Sequence, residues 1–306
     1  PVHGYHGPVT APPTRGAALL SLLVAMLSFQ AGASIAKQLI PRIGAPGTTA
    51  LRLGLSALLV AVLQRPWRHV PSRAAWPIVL AYGVALGTMN FIFYLSIRTI
   101  PLGIAVALEF TGPLAVAVAH SRRRLVFVWI ALAVVGLLLL LPLTQTSARL
   151  DPVGVLCALG AGVCWALYII FGQKAGHAHG SGASAWGMLI AACLIVPIGV
   201  LDAGRALVSP SVLPLGLGVA ILSSALPYTL EMTALRYLSA RTYGVLMSFE
   251  PALAALVGLL VLGEALTRHQ WLAIGAVIVA SIGTVAGDRG PSKPPPPTRW
   301  WTRSAD

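Results

Sequence analysis

Residues 103–109 read GIAVALE and residues 244–250 read GVLMSFE, so two similar segments with matching glutamates stand 141 positions apart. A proline follows each glutamate within four residues, Pro113 in the first copy and Pro251 in the second, and small residues come after it. Chance similarity between two apolar helices is the alternative explanation. The matched glutamates, Glu109 and Glu250, favour an internal repeat. The pattern therefore predicts a chain built from two related halves.

Ten apolar stretches surround these segments, five in each half, and each has about the 20 residues that a helix needs to cross a bilayer. They cover approximately 17–36, 47–63, 75–97, 102–120, 126–142, 153–172, 184–201, 212–235, 242–262 and 269–287. Because five is odd, the second half enters the membrane from the opposite side, as in transporters with inverted-topology repeats. The predicted fold is an all-α membrane protein with ten transmembrane helices in two inverted five-helix repeats.

The same division predicts four segments along the chain. A disordered N-terminal tail occupies 1–15, the first five-helix repeat 16–148, the second 149–288, and a proline-rich cytoplasmic tail 289–306. With the N-terminus inside, fourteen Lys and Arg residues fall on the inner side and six in the outer loops. The positive-inside rule therefore predicts that both termini face the cytoplasm.

The composition excludes an ordinary soluble domain. Of the 306 residues, 57% are hydrophobic and 9% are charged, whereas soluble domains have about 25% charged residues. The net charge of +13 does not indicate nucleic-acid binding, because the Lys and Arg residues lie in short loops and in the tail. The three cysteines fit neither metal spacing nor a disulfide framework. We predict no cofactor, no metal and no nucleic-acid partner.

Three acids lie inside the apolar stretches, where a charged carboxylate costs at least about 2.5–3.5 kcal/mol. Glu109 and Glu250 each fall eight or nine residues into a predicted span, near mid-membrane, and the repeat makes them symmetry mates. Such a pair can share a proton or seat an ammonium group; the alternative is that each makes a packing hydrogen bond. Glu231 follows Pro227 by four residues. It is a further candidate for proton coupling, or it reaches water at the cytoplasmic end.

Arg52 is the candidate for binding a substrate carboxylate, because a guanidinium binds carboxylates with two parallel hydrogen bonds. The alternatives are that its side chain reaches the membrane surface or pairs with an acid. Asn90 occupies the position that corresponds to Glu231 in the first repeat, and its amide can bind either end of a zwitterion. Further polar or aromatic residues that can line a cavity are Gln30, Ser34, Tyr94, Trp165, Tyr168 and Tyr228.

The chain resembles the EamA-type branch of the drug/metabolite transporter superfamily over residues 16–287. The resemblance is carried by YLSIRTIPLGIAVALEFTGPLAVA (94–117), APGTTALRLGL (45–55), LGAGVCWALYI (159–169), ILSSALPYTLEM (221–232) and MSFEPALAALVG (247–258). These stretches are most similar to the exporters of threonine and homoserine in the bacterial inner membrane. The resemblance implies proton-driven efflux of small neutral amino acids from the cytoplasm, without a cofactor.

Two other functions stay open at this point. A proton-coupled exporter of drugs, nucleobases or other metabolites would have the same fold, and a site for cationic drugs would have more aromatic lining. An intramembrane enzyme would need a nucleophile with a base, or a set of metal ligands, and the sequence offers neither. The oligomeric state leaves no signature in the sequence.

Overall fold

The structure is a computed structural model that describes residues 15–68, 70–119, 126–140, 150–179, 182–227, 230 and 246–287. These residues form helices and connecting turns, without strands. The helices are α1 (Arg15–Gln64), α2 (Trp76–Ile97), α3 (Leu102–Glu109), α4 (Thr111–Ala119), α5 (Val126–Leu140), α6 (Pro152–His179), α7 (Gly182–Ala203), α8 (Leu213–Ala220), α9 (Glu250–Leu262) and α10 (Arg268–Gly287). A π-helix, Ile221–Ala225, continues α8.

Helix α1 folds back on itself at Gly44, whose φ of 70° and ψ of 167° are not helical. Its first limb is 15–43 and its second limb is 45–64. The Arg52 guanidinium lies 5.6 Å from the ring centroid of Phe29, whereas two residues 23 positions apart would be separated by about 35 Å in a straight helix. The two limbs therefore lie side by side, at the positions predicted for the first two spans.

Among the described residues, four helices have the length and hydropathy to cross a membrane: Gly16–Gln64, Trp76–Ile97, Pro152–Gly176 and Gly182–Val208. The first of them contains both limbs of α1. Shorter apolar helices cover Leu102–Val116, Leu213–Ser224 and Glu250–Leu262. The chain is therefore an all-α membrane protein, and the count of ten spans stays a prediction.

The stretch predicted as one span at 102–120 is two short helices, α3 and α4, separated at Phe110. Pro113 explains the break, because it has no N–H to donate to the carbonyl of Glu109 and its ring crowds that carbonyl. A similar interruption precedes α9, which begins at Glu250 after a turn at 248–249 and has Pro251 in its first turn. Both glutamates of the repeat thus stand beside a break in the helix.

Small residues let the helices approach closely, as is usual in membrane bundles. A Cβ added to Gly103 of α3 would lie 2.5 Å from the Ala255 Cα of α9. Gly83 of α2 approaches Gly187 of α7 in the same way, and α5 and α10 meet at Gly136. Helices α1, α2, α3 and α9 also contact one another around one buried region, where the largest buried side chains include Tyr94 and Leu108.

Candidate functional site

Arg52 lies at the centre of a buried cluster, and only 8% of its surface is exposed. Its Nη1 donates to the Tyr94 hydroxyl at 3.3 Å, and its Nη2 donates to the Ser223 carbonyl at 3.4 Å. The guanidinium also lies 5.6 Å from the Phe29 ring and 5.5 Å from the Tyr94 ring, within cation–π range. Its Nε has no hydrogen-bond acceptor among the described residues. Both hydrogen bonds are long and end on neutral acceptors, so they only partly satisfy a buried charge.

Pro227 removes one backbone donor beside the carbonyl that Arg52 binds. In an α-helix the N–H of residue 227 would bond to Ser223, and in a π-helix it would bond to Leu222, but proline has no N–H. The Ser28 hydroxyl donates to the Leu222 carbonyl at 2.7 Å. The proline therefore leaves one of these two carbonyls without its helical donor, and the two limbs of α1 bind both of them.

Glu109 and Glu250 are buried in the same region, with 8% and 7% of their surfaces exposed. The Glu109 carboxyl is close enough to interact electrostatically with both Glu250 and Arg52. Gln30, on the first limb of α1, donates from its Nε2 to the Glu250 Oε1 at 3.3 Å. The cluster therefore brings together one guanidinium and two carboxyl groups, contributed by both halves of the chain.

A second charged group lies where α3 begins and α9 ends, and we call it the Lys37–Glu264 clamp. Lys37 Nζ lies 2.6 Å from Glu264 Oε1 and donates to the Ile100 carbonyl at 2.7 Å. Glu264 Oε2 accepts the backbone N–H of Leu102 at 2.8 Å, at the start of α3. The clamp therefore joins the first limb of α1, the start of α3 and the loop after α9.

The other predicted site residues have different surroundings. Asn90 donates to the Leu86 carbonyl of its own helix at 2.9 Å. Ser34 is fully buried, and its hydroxyl has no hydrogen-bond partner among the described residues.

Trp165 lies edge-on to Phe110 at 5.8 Å, beside the break after Glu109. Tyr168 stacks on Tyr82 at 5.1 Å, in a separate aromatic contact between α6 and α2.

The structure thus brings together five predicted site residues: Arg52, Tyr94, Gln30, Glu109 and Glu250. Glu231 and Tyr228 lie outside the described residues. Sequence reasoning missed Phe29 and Ser223, and it treated Lys37 only as a loop charge. Within the part of the chain that the structure describes, no group of three or more His, Cys, Asp or Glu side chains is arranged to hold a metal ion.

Comparison with known proteins identifies the family. Residues 152–286 match the EamA-like transporter family. The threonine/homoserine exporter RhtA of Escherichia coli K12 is 58% identical over 275 residues, which cover 90% of this chain and 93% of that protein. The chain belongs to the EamA-like transporter family. This confirms the resemblance seen in the sequence.

Other relatives of this EamA-like transporter agree. The threonine/homoserine exporter RhtA of Salmonella typhimurium LT2 is 57% identical over 266 residues, covering 87% of this chain and 90% of that protein. The uncharacterized transporter YwfM of Bacillus subtilis is 30% identical over 253 residues, covering 79% and 84%. A crystal structure with 18% identity has a TM-score of 0.58 over 89% of this chain and 97% of its own, which shows a shared fold alone.

The family decides the functional class of the protein. The protein is a transporter and not an enzyme, and its apolar helices make it a multi-pass membrane protein. A transporter has to bind a solute and release it unchanged. Groups that form and break hydrogen bonds and ion pairs reversibly suit that task, and Arg52, Gln30 and the two glutamates are groups of this kind.

Proposed function

We propose that this transporter exports threonine, homoserine and related small neutral amino acids from the cytoplasm in exchange for protons. The observation that carries the proposal is the buried cluster of one guanidinium and two carboxyl groups. A zwitterionic amino acid presents one carboxylate and one ammonium group, so its charges complement those of the cluster. Relatives named threonine/homoserine exporters, at 57% and 58% identity, support the substrate class.

Arg52 binds the substrate carboxylate in this proposal. Without substrate, its guanidinium has two long hydrogen bonds to neutral oxygens and an Nε with no acceptor among the described residues. A carboxylate is a stronger acceptor and can take two parallel hydrogen bonds from one guanidinium. Substrate therefore competes well against the Tyr94 hydroxyl and the Ser223 carbonyl for Arg52.

Glu109 and Glu250 carry the proton and receive the ammonium group. Two carboxylates that interact in a buried site oppose each other's ionisation, so a proton or a cation stabilises the pair. The substrate ammonium and a proton then compete for the same carboxyl groups, which is the requirement for antiport. Gln30 holds the Glu250 carboxyl by donating to Oε1, which fixes where this competition takes place.

Alternating access between two inverted repeats of five helices, ten in all, completes the mechanism. The packing of α5 on α10 supports the repeat, because the 141-residue offset maps residues 126–140 of α5 onto 267–281, nearly all of which lie in α10. We place the protein in the bacterial inner membrane with both termini in the cytoplasm, on the distribution of Lys and Arg. The Lys37–Glu264 clamp then lies at the outer face, where it opens to release the substrate.

An exporter of cationic drugs is the rival on the same fold, and the surroundings of Arg52 disfavour it. The rings of Phe29 and Tyr94, which a drug cation would need, already lie within cation–π range of the arginine. A fixed positive charge at the centre of the cluster also repels a cation. The same charge attracts the carboxylate of an amino acid.

Efflux of labelled threonine from proteoliposomes, with and without a pH gradient, tests the proposal, with a labelled lipophilic cation as the competing substrate. Arg52→Lys should raise the KM for threonine about tenfold by removing the bidentate geometry, whereas Arg42→Lys, at an exposed position of the same helix, should not. Normal threonine transport by Arg52→Lys would exclude Arg52 as the carboxylate ligand.

The same vesicles test the proton. Glu109→Gln and Glu250→Gln keep the shape of the side chains but cannot release a proton, so they should lose efflux driven by the pH gradient and keep threonine–threonine exchange. Full gradient-driven efflux in the double variant would contradict proton coupling through this pair. Reporter fusions after residues 148 and 288 test the orientation, with an outside signal expected at the first position and an inside signal at the second.

A further inference from the structure

Two buried serine hydroxyls lie beside Arg52 and have no role in the mechanism above. The Ser56 hydroxyl donates to the Ser224 hydroxyl at 2.8 Å, and the two residues are 0% and 2% exposed. Ser56 is one helical turn after Arg52 on the second limb of α1, so the two side chains share a face, with about 5–6 Å between their Cβ atoms. Their partners, Ser223 and Ser224, are neighbours in the π-helix. The hydroxyl pair and the guanidinium therefore line the same contact between α1 and the π-helix.

The serine pair has hydrogen-bonding capacity to spare. Each serine hydroxyl offers one donor and two acceptor lone pairs, and the bond between them uses one donor and one lone pair. Among the described residues neither hydroxyl makes another side-chain hydrogen bond. One donor and three lone pairs are thus left over in a buried place, enough for a third hydroxyl to join the pair.

We infer that Ser56 and Ser224 form the subsite that recognises the side-chain hydroxyl of the substrate. This inference rests on the proposed function. Threonine and homoserine are four-carbon amino acids that differ from 2-aminobutyrate only by a hydroxyl, at the third or the fourth carbon. When the substrate carboxylate lies on Arg52, that hydroxyl lies within a few bonds of it. One helical turn along α1 is a matching distance, so one subsite serves both substrates.

The size of the preference for substrates with a hydroxyl follows from the hydrogen bond that Ser56 and Ser224 already make. A buried group left without any partner would reject a substrate lacking the hydroxyl by a factor of about 10⁴ or more. Here the two serines satisfy each other when no substrate hydroxyl is present, so that large penalty does not arise. The gain is that of one net hydrogen bond, which corresponds to about fivefold to tenfold in favour of threonine over 2-aminobutyrate.

The test compares the export of labelled threonine, homoserine and 2-aminobutyrate by wild type, Ser56→Ala, Ser224→Ala and the double variant in proteoliposomes. We expect the ratio of kcat/KM for threonine over 2-aminobutyrate to fall from about fivefold to tenfold towards unity in the double variant, with 2-aminobutyrate export retained. Ser28→Ala is the matched control. It removes a buried hydroxyl that binds the same π-helix from the other limb, and it should keep the wild-type ratio.

An unchanged ratio in the double variant would overturn the inference, and so would an equal loss of ratio in Ser28→Ala, which would indicate general loosening of the π-helix. If an alanine variant does not fold, Ser56→Cys keeps the shape of the side chain with only a weak donor and should lower the ratio in the same direction. The proposed function fails differently. Wild-type vesicles would then export neither threonine nor homoserine, whatever the serine variants do.

Discussion

Gly112→Ala tests the closest helix contact beside Glu109. A Cβ at position 112 would lie 1.8 Å from the Gly162 carbonyl oxygen, 2.6 Å from its carbonyl carbon and 3.0 Å from its Cα. Ordinary contacts begin near 3.4 Å, so α4 and α6 would have to separate by roughly 1.6 Å, a gap that forfeits much of the dispersion energy between them. All three atoms belong to the backbone, so no side chain can rotate away. Overpacking of this kind costs about 1–3 kcal/mol, and we expect the upper end of that range.

The matched control is Gly275→Ala in α10, where an added Cβ meets nothing within 4 Å. That variant should be unchanged or more stable by up to about 1 kcal/mol, from the higher helix propensity of alanine. Gly162→Ala should be intermediate, because its Cβ would lie 2.8 Å from the Glu109 carbonyl oxygen. Unfolding of the purified proteins in detergent measures the three free energies. A Gly112→Ala protein as stable as Gly275→Ala would refute the packing described here.

Two charged residues in loops give two further predictions. Glu264→Gln keeps an acceptor for the Leu102 N–H but loses the ion pair to Lys37, so it should lower the free energy of unfolding by about 1 kcal/mol. Glu264→Leu loses both interactions and should lower it by about 2–3 kcal/mol, and equal unfolding midpoints for the two variants would contradict these roles of Glu264 in the clamp. The hydrogen bond from the Thr99 side chain, then those from the Val153 and Gly154 N–H groups, lower the pKa of Asp151 from 3.8. The ionised Asp151 carboxylate therefore contributes fully to the free energy of unfolding above pH 3.8, and this contribution is lost as the pH falls through the lowered pKa. The difference in melting temperature between wild type and Asp151→Asn should accordingly be largest near neutral pH and shrink in acid.

The sequence was enough to select the charged residues of the buried cluster because a charged side chain stands out in an apolar stretch. Arg52, Glu109 and Glu250 are costly at membrane depth whatever surrounds them, so their residue type alone indicated a site. The structure adds which donors bind the two carbonyls of the π-helix, and these depend on residues 194 and 171 positions away, Ser28 and Arg52.

The features that sequence reasoning missed depend on contacts between distant parts of the chain. Lys37 and Glu264 lie at the ends of apolar stretches, where charged residues are common, so neither position stands out before the fold brings them together. Asn90 was selected by its residue type, and the structure adds that its amide donates to the carbonyl one turn before it, a local bond that competes with any ligand; its role in binding stays a prediction. The break at Phe110 was missed because Pro113 was read only as part of a repeat.

Helix α3 connects the Lys37–Glu264 clamp to the buried cluster around Arg52. It has eight residues, about 12 Å of helix, with its first N–H bound by Glu264 and its last residue being Glu109. Helix α9 begins at Glu250 and ends two residues before Glu264, and Gly103 and Ala255 hold the two helices in close contact. A change in the repulsion between the two buried glutamates therefore acts on helices whose other ends form the clamp. A short, closely packed pair of helices has little freedom to absorb such a change along its length, so protonation at the buried site and opening at the clamp become linked steps in the proposed export cycle.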